Sequence, residues 1–176
     1  MAGLLSLAVA LVVPVQAQRT KQQHEEALNF REQIVADIRE GRKDVAGALA
    51  QLKNHSRRSD LDVDDDGDLG LAAVDIGDRL KAVGRHEVAL RFYREAEKSI
   101  ERALLRNGSN RDHRVIYLRK LAEIQAIELG KPAVARENLL KAIQLHPDSQ
   151  NLEDLYAFLS SRHRAEFPVR ERKPRQ

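Results

Sequence analysis

The sequence contains no cysteine and no tryptophan, and only 4% of its 176 residues are aromatic. No disulfide can stabilise the fold. Because aromatic residues are few, the core has to be built mainly from Leu, Ile, Val and Ala. Runs that alternate apolar and polar residues between turn signals are also scarce, which disfavours a sheet sandwich. These absences favour an all-α protein, and the length suits one domain with a modest core.

The N-terminal segment from Met1 to Val13 carries no charged side chain. Pro14 interrupts the apolar run, and Val15 and Ala17 are small residues at the two positions that a signal peptidase reads. The run is shorter than the roughly 20 helical residues that span a bilayer. We therefore predict a signal peptide over residues 1–17, cleaved after Ala17, with an uncleaved N-terminal anchor as the alternative.

The absence of cysteine also bears on where the exported chain resides. A lipid-anchored bacterial envelope protein needs a Cys after its signal peptide, and this chain has none. An exported protein without disulfides rests on packing alone, which favours a bacterial periplasm over a eukaryotic extracellular space. The predicted localisation is the periplasm, or otherwise secretion.

The remaining chain has a helical period that is interrupted by Gly41, Gly84 and Gly130. Apolar residues recur at spacings of three, four and seven on both sides of each glycine, which predicts antiparallel helix pairs joined by tight turns. The predicted organisation is a helix pair over 18–54, an acidic loop over 55–70, two helix pairs over 71–147, a closing helix over 148–164 and a basic disordered tail over 165–176.

Small and large residues recur at fixed offsets from two of these glycines. The set around the second glycine is Ile76, Gly77, Leu80, Gly84, Ala89, Tyr93 and Ala96, and the set around the third is Gly130, Ala135, Leu139, Ala142 and Pro147. This pattern resembles the tetratricopeptide repeat (TPR) family, well over residues 71–147 and poorly over the first pair, which keeps only Gly41 and Ala46. Leu121 and Ala122 stand one residue too far from Gly130, which predicts one extra residue in that helix or its turn.

The resemblance implies an α-solenoid of antiparallel helix hairpins whose first helices line a concave groove for protein segments. Carried over to this sequence, the implied groove residues are Asp78 and Lys81 in one repeat and Arg119 and Glu123 in the next. A helical bundle without the repeat arrangement is the alternative.

The acidic segment carries alternating carboxylates at Asp62, Asp64, Asp66 and Asp68. It resembles the start of an EF-hand calcium loop, in which the first three side chains and the carbonyl of the fourth residue bind the ion. The bidentate acid expected at the twelfth position is replaced by Ala73, and the nearest carboxylate beyond it is Asp75. A weak calcium site and a solvated acidic loop are both compatible with this pattern.

Other chemistry finds little support in the sequence. The six histidines have no zinc spacing, and no phosphate loop, nucleophile elbow or paired-carboxylate motif is present. We therefore predict a binding protein and not an enzyme, with no cofactor other than a possible Ca²⁺. Nucleic acid is disfavoured because basic residues are not interleaved with aromatic ones. The basic tail either is solvated or makes peripheral contact with an anionic membrane.

Two functions remain in competition at this point. The first is an exported TPR-like scaffold that mediates protein–protein interaction in the cell envelope. The second is a calcium-responsive binding module in which the acidic loop orders on ion binding.

Overall fold

The computed structural model describes residues 25–26, 28–56, 65–106 and 110–168, and their regular secondary structure is entirely helical. This confirms the predicted all-α class for the described part of the chain. The helices are α1 (28–39), α2 (Val45–Ser56), α3 (Asp65–Ala82), α4 (His86–Leu105), α5 (Arg111–Ile127), α6 (Pro132–Leu145) and α7 (Gln150–Arg162). None of these described helices combines the length and hydrophobicity needed to cross a bilayer. The predicted signal peptide lies outside the described residues.

The chain divides into two compact units, Met1–Lys43 and Asp44–Gln176. Both helices predicted for residues 18–54 are present, but α1 belongs to the first unit and α2 to the second. In the first unit, α1 ends where Gly41 adopts a φ of +73°. The Arg42 amide then donates to the Asp37 carbonyl over 2.8 Å, which is the Schellman arrangement that closes a helix.

The Asp37 carboxylate gathers three partners at the same turn. It accepts from Gln33 over 2.8 Å and from Arg42 Nε over 2.9 Å, and Lys43 Nζ lies 3.2 Å away. The Gln33 hydrogen bond, followed by that of Arg42, lowers the pKa of Asp37 because each stabilises the ionised carboxylate.

In the second unit, consecutive helices pair into two hairpins. The first hairpin is α3 with α4, and the second is α5 with α6; α4 packs against α5, and α7 packs against α5 and α6. Gly84 and Gly130 form the tight turns with φ values of +79° and +65°, a left-handed conformation that glycine adopts without steric cost. The three glycines identified as turn residues in the sequence therefore all occupy such turns.

The packing of the first hairpin depends on glycines in α3. A Cβ atom on Gly77 would stand 2.7 Å from Tyr93 Cε1, and one on Gly70 would stand 2.5 Å from Ile100 Cγ1. Tyr93 and Ile100 are buried in α4, at 1% and 0% exposure. The missing side chains of α3 are therefore what allow the large side chains of α4 to pack against its backbone.

The second hairpin shares its core with α7. Leu139 and Ala142 of α6 and Leu152 and Leu159 of α7 belong to one buried cluster. Phe167 joins this cluster at 1% exposure, and its ring meets that of Tyr156 edge-on, with centroids 5.4 Å apart. The predicted disordered tail over 165–176 is therefore wrong for its first residues, because burial of an aromatic ring orders the chain up to residue 168. Residues 169–176 lie outside the described residues.

The turn between α5 and α6 contains the extra residue that the sequence predicted. In the first hairpin the Arg85 amide donates to the Leu80 carbonyl, five residues earlier, over 2.9 Å. In the second the Lys131 amide donates to the Gln125 carbonyl, six residues earlier, over 2.7 Å. One inserted residue widens the final turn, and α6 still begins two residues after its glycine.

The predicted acidic loop over 55–70 is too long at its C-terminal end, because α3 begins at Asp65. Acidic residues are favourable in a first helical turn, where they face the positive end of the helix dipole. The buried side of the helix also starts early: Leu69 is 5% exposed, and a Cβ on Gly67 would overlap the Tyr117 ring of α5. Tertiary packing thus extends the helix back into the acidic sequence.

Candidate binding surfaces

The four predicted groove residues lie on α3 and α5, which contact each other. The Asp78 carboxylate accepts a 2.7 Å hydrogen bond from the Tyr93 hydroxyl, and Lys81 Nζ donates to both Glu128 oxygens over 2.8 and 3.0 Å. Burial is the largest cause that raises the pKa of the Tyr93 hydroxyl. The hydrogen bond to Asp78 and the charges of Asp78, Glu128 and Glu123 raise this pKa further. The structure therefore brings Asp78, Lys81 and Glu123 to one face.

These side chains are largely engaged within the molecule. Lys81 and Glu128 connect the two hairpins, and Lys120 Nζ lies 2.9 Å from Glu123 Oε2 without the alignment of a hydrogen bond. Arg119 is exposed one turn before Glu123. Asp78 and Lys81 thus hold helices together, whereas Glu123 pairs within α5, and a ligand at this face would have to compete with these contacts.

The predicted calcium ligands divide between described and undescribed residues. Asp62 and Asp64 lie outside the described residues, whereas Asp66 and Asp68 lie in the first turn of α3. Arg102 Nε lies 3.3 Å from Asp66 Oδ1, and Arg106 Nη2 lies 2.8 Å from Oδ2 without hydrogen-bond alignment. Among the described residues no three His, Cys, Asp or Glu side chains gather as a metal site would require. Calcium binding stays a prediction, and it would require the Asp66 carboxylate to break its contacts with Arg102 and Arg106.

A groove that the sequence did not predict lies between α4 and α6, with α5 as its floor. Its volume is about 670 Å³. Its apolar lining is Leu104, Leu105, Leu118, Leu121, Val134 and Leu145. Leu105 exposes 81% of its surface and Val134 exposes 44%, whereas Leu118 and Leu121 of the floor are buried. Apolar area of this kind is typical of protein–protein contact sites.

The α4 wall of the groove comes from extra helix length. Helix α4 has 20 residues and α6 has 14, and each begins two residues after the glycine of its hairpin. The last six residues of α4, Ile100–Leu105, therefore have no counterpart in α6. All three α4 residues that line the groove, Glu101, Leu104 and Leu105, lie in this extension.

Charged residues accompany the apolar lining at both ends of the groove. They are Glu101, Glu137, Arg114 and Lys141. Burial raises the pKa of Glu101, and the nearby Glu97 carboxylate raises it further, whereas Lys131 lowers it. A carboxyl group in this setting gains from any cation brought close to it.

A buried polar network fixes the three helices that surround the groove. Gln125 of α5 donates to Glu97 Oε1 of α4 over 2.9 Å, and Asn138 of α6 donates to Gln125 Oε1 over 2.9 Å. Lys131 Nζ contacts both Glu97 oxygens, at 2.9 and 2.7 Å. Gln125 is 0% exposed, so each of these bonds satisfies a group that would be costly to leave unpaired. The walls and the floor of the groove are thereby held in place before any ligand arrives.

Sequence reasoning missed both the groove and the network. One signal was available: Gln125 and Asn138 interrupt apolar faces, between Ile124 and Ala126 and directly before Leu139. Comparison of the chain with protein-family models, with curated proteins and with solved structures finds no match. The case for function therefore rests on the residues and their geometry.

Proposed function

We propose that this protein is an exported helical scaffold of the TPR type, which binds a segment of a partner protein in the cell envelope. The observation that carries the proposal is the preformed groove between α4, α5 and α6, with Leu105 81% exposed at its edge. Burying such apolar surface against a partner gains roughly 25 cal/mol per Å² removed from water, before the costs of association. The proposed site differs from the groove that the family resemblance implied.

Several features support the repeat assignment. Each hairpin turns at a glycine with positive φ, and small residues stand at matched offsets: Ala89 and Ala96 after Gly84, Ala135 and Ala142 after Gly130. All four alanines are at most 1% exposed, as close helix packing requires. Helix α7 packs on the second hairpin and covers an end that a solenoid would otherwise expose.

Capture from an extract of the protein's own cell envelope tests the scaffold function. The chain from Gln18 onward is compared with Leu105→Glu and with Phe158→Glu, which also places a charge at an exposed apolar residue but lies on α7. We expect a protein that wild type and Phe158→Glu retain and Leu105→Glu loses. A captured set that does not change with Leu105→Glu would rule out the groove as the site.

Export has its own test, because it rests on the N-terminal sequence. The N-terminus of the chain recovered from the envelope fraction is determined by Edman sequencing or mass spectrometry. Cleavage after Ala17 gives a chain that begins at Gln18. A chain that retains Met1 would contradict cleavage and favour the N-terminal anchor.

A further inference from the structure

The charged residues of the groove are separated along its length. Glu101 lies one turn after Glu97 in α4, and the Glu97 carboxylate contacts Nζ of Lys131, the residue before α6, over 2.7 Å. At the opposite end, Arg111 Nε donates to the Leu145 carbonyl at the end of α6 over 2.8 Å. Arg114 lies one turn beyond Arg111, so it belongs to this second end.

The charges of α6 follow the same order. Glu137 lies nearer the start of the helix and Lys141 lies one turn nearer its end. Glu101 with Glu137 therefore forms an acidic end, and Arg114 with Lys141 forms a basic end. Among the described residues none of these four side chains makes a hydrogen bond or an ion pair. Their charges are available to an occupant of the groove.

The shape of the groove suits a helix. The contacts of Gln125 with Asn138 and of Arg111 with Leu145 show that α6 runs opposite to α5. Helix α5 contacts both α4 and α6, whereas these two do not contact each other within the described residues. The α6 residues that line the groove run from Val134 to Leu145, about 17 Å at 1.5 Å per residue, and those of α4 run from Glu101 to Leu105, about 6 Å. A partly apolar cleft between two helices is the kind of site in which amphipathic helices are bound.

We propose, building on the proposed function, that the occupant is a short amphipathic helix of the partner protein with basic residues in its first half and acidic residues in its second half. Its N-terminus lies at the end formed by Glu101 and Glu137, and its C-terminus lies beside Arg114 and Lys141. The direction follows from the helix dipole, whose positive N-terminal end is stabilised by carboxylates and whose negative C-terminal end is stabilised by cations. The bound helix therefore runs parallel to α6.

Two synthetic peptides of equal composition test this proposal. Both carry the same leucines at helical spacing and span about four turns. One has lysines in its first half and glutamates in its second; the other has the reverse order. The isolated helix dipole favours the reverse peptide, because acidic residues at the N-terminus stabilise a free helix. A preference for the first peptide must therefore come from the groove.

The binding of both fluorescent peptides is measured by anisotropy at low salt, with wild type and with a Glu137→Lys/Lys141→Glu variant. We expect wild type to bind the first peptide about tenfold more tightly, the variant to lose or invert that preference, and salt to weaken it. Both positions are exposed, so the exchange leaves the core intact.

The possible failures of the two proposals are distinguishable. Equal affinity for both peptides, abolished by Leu105→Glu, would overturn the charge order while leaving the groove as a binding site. A preference that the double variant does not alter would also overturn it. If wild type binds neither peptide, the amphipathic-helix ligand is rejected. The capture experiment with Leu105→Glu and Phe158→Glu still tests the scaffold function independently.

Discussion

In each of the two hairpins a small residue on the first helix allows the second helix to pack closely, but the residue pairs differ. In the first hairpin Gly77 of α3 lies under Tyr93 of α4, whose ring is 2.7 Å from where a Cβ on Gly77 would stand. Tyr93 lies nine residues after Gly84, and the residue nine positions after Gly130 is Leu139. Gly77 lies seven residues before Gly84, and its counterpart Ala122 lies eight residues before Gly130. A smaller residue on one helix is matched by a larger one on the other, so the interior volume is conserved while the residues change.

The hairpins also differ at one matched buried position and in their ends. Phe92 is buried eight residues after Gly84, whereas the same offset from Gly130 is Asn138, which belongs to the buried polar network. Helix α4 continues six residues beyond the length of α6. The first hairpin thus has Phe92 where the second has Asn138, and its projecting end forms a wall of the groove over the second hairpin.

The strongest test of the packing comparison is Tyr93→Leu, which gives the first hairpin the residue of the second. Without the ring, space opens above Gly77, and Asp78 loses its hydrogen bond from the tyrosine hydroxyl. We expect a loss of about 2–4 kcal/mol in the free energy of unfolding, measured by urea denaturation and circular dichroism. The control Tyr93→Phe keeps the ring and should cost about 1 kcal/mol. Equal costs for the two variants would show that the ring does not fill this space.

The buried polar network of Glu97, Gln125 and Asn138 is tested by Gln125→Leu. The substitution leaves the Asn138 amide without its acceptor and removes a donor to Glu97, at a cost of about 1–3 kcal/mol in unfolding free energy. The matched control is Gln144→Leu, an exposed position in the same hairpin, where a change within about 0.5 kcal/mol is expected. Similar effects at both positions would mean that the network adds nothing to stability.

A sharper test uses Gly77→Ala in two backgrounds. In wild type the added Cβ meets Tyr93, so an overpacking cost of about 1–3 kcal/mol exceeds the gain of about 1 kcal/mol in helix propensity. In the Tyr93→Leu background there is room for the methyl group, and the same substitution should stabilise the protein. The two unfolding free energies form a double-mutant cycle. An effect of the same sign and size in both backgrounds would refute the matched pair.

The smallest expected effect concerns the projecting end of α4. Because burial and Glu97 raise the pKa of Glu101 above its usual value of 4.5, the folded state favours the protonated carboxyl group. That contribution to stability is complete below about pH 4.5 and is lost as the pH rises through the higher pKa of the folded state. Relative to Glu101→Gln, wild type should therefore lose stability over this interval, measured as urea midpoints against pH. Parallel curves for the two proteins would contradict the shift.

Much of the fold could be predicted from residues with strong local preferences. Gly41, Gly84 and Gly130 mark left-handed turns that few other residues adopt, and the helical period between them defines the helices. The extra residue before Gly130 was also predictable, because Leu121 and Ala122 lie one residue farther from Gly130 than Ile76 and Gly77 lie from Gly84. In contrast, the start of α3 and the order of residues 165–168 depend on Tyr117 and on the buried cluster around Phe167, which are distant in sequence.

The candidate site was less predictable than the fold. The resemblance placed the groove on Asp78, Lys81, Arg119 and Glu123, and contacts among Tyr93, Lys81 and Glu128 occupy much of that face. The groove over α5 combines residues from three helices, and no local pattern marks residues that meet only after folding. Its α4 wall depends on where that helix ends relative to α6, which is a difference between the two hairpins and not a motif.

The sequence by itself determined the helical class, the positions of the glycine turns and the small–large pairs that set the hairpin packing, because each follows from backbone preferences and side-chain volume within neighbouring segments. Only the tertiary structure decided which polar residues are buried together, where the acidic segment becomes helix, and which apolar residues stay exposed in a groove. These properties depend on contacts between segments far apart in the chain, and the cost of an unpaired polar group or the gain from a buried ring exists only once those segments meet.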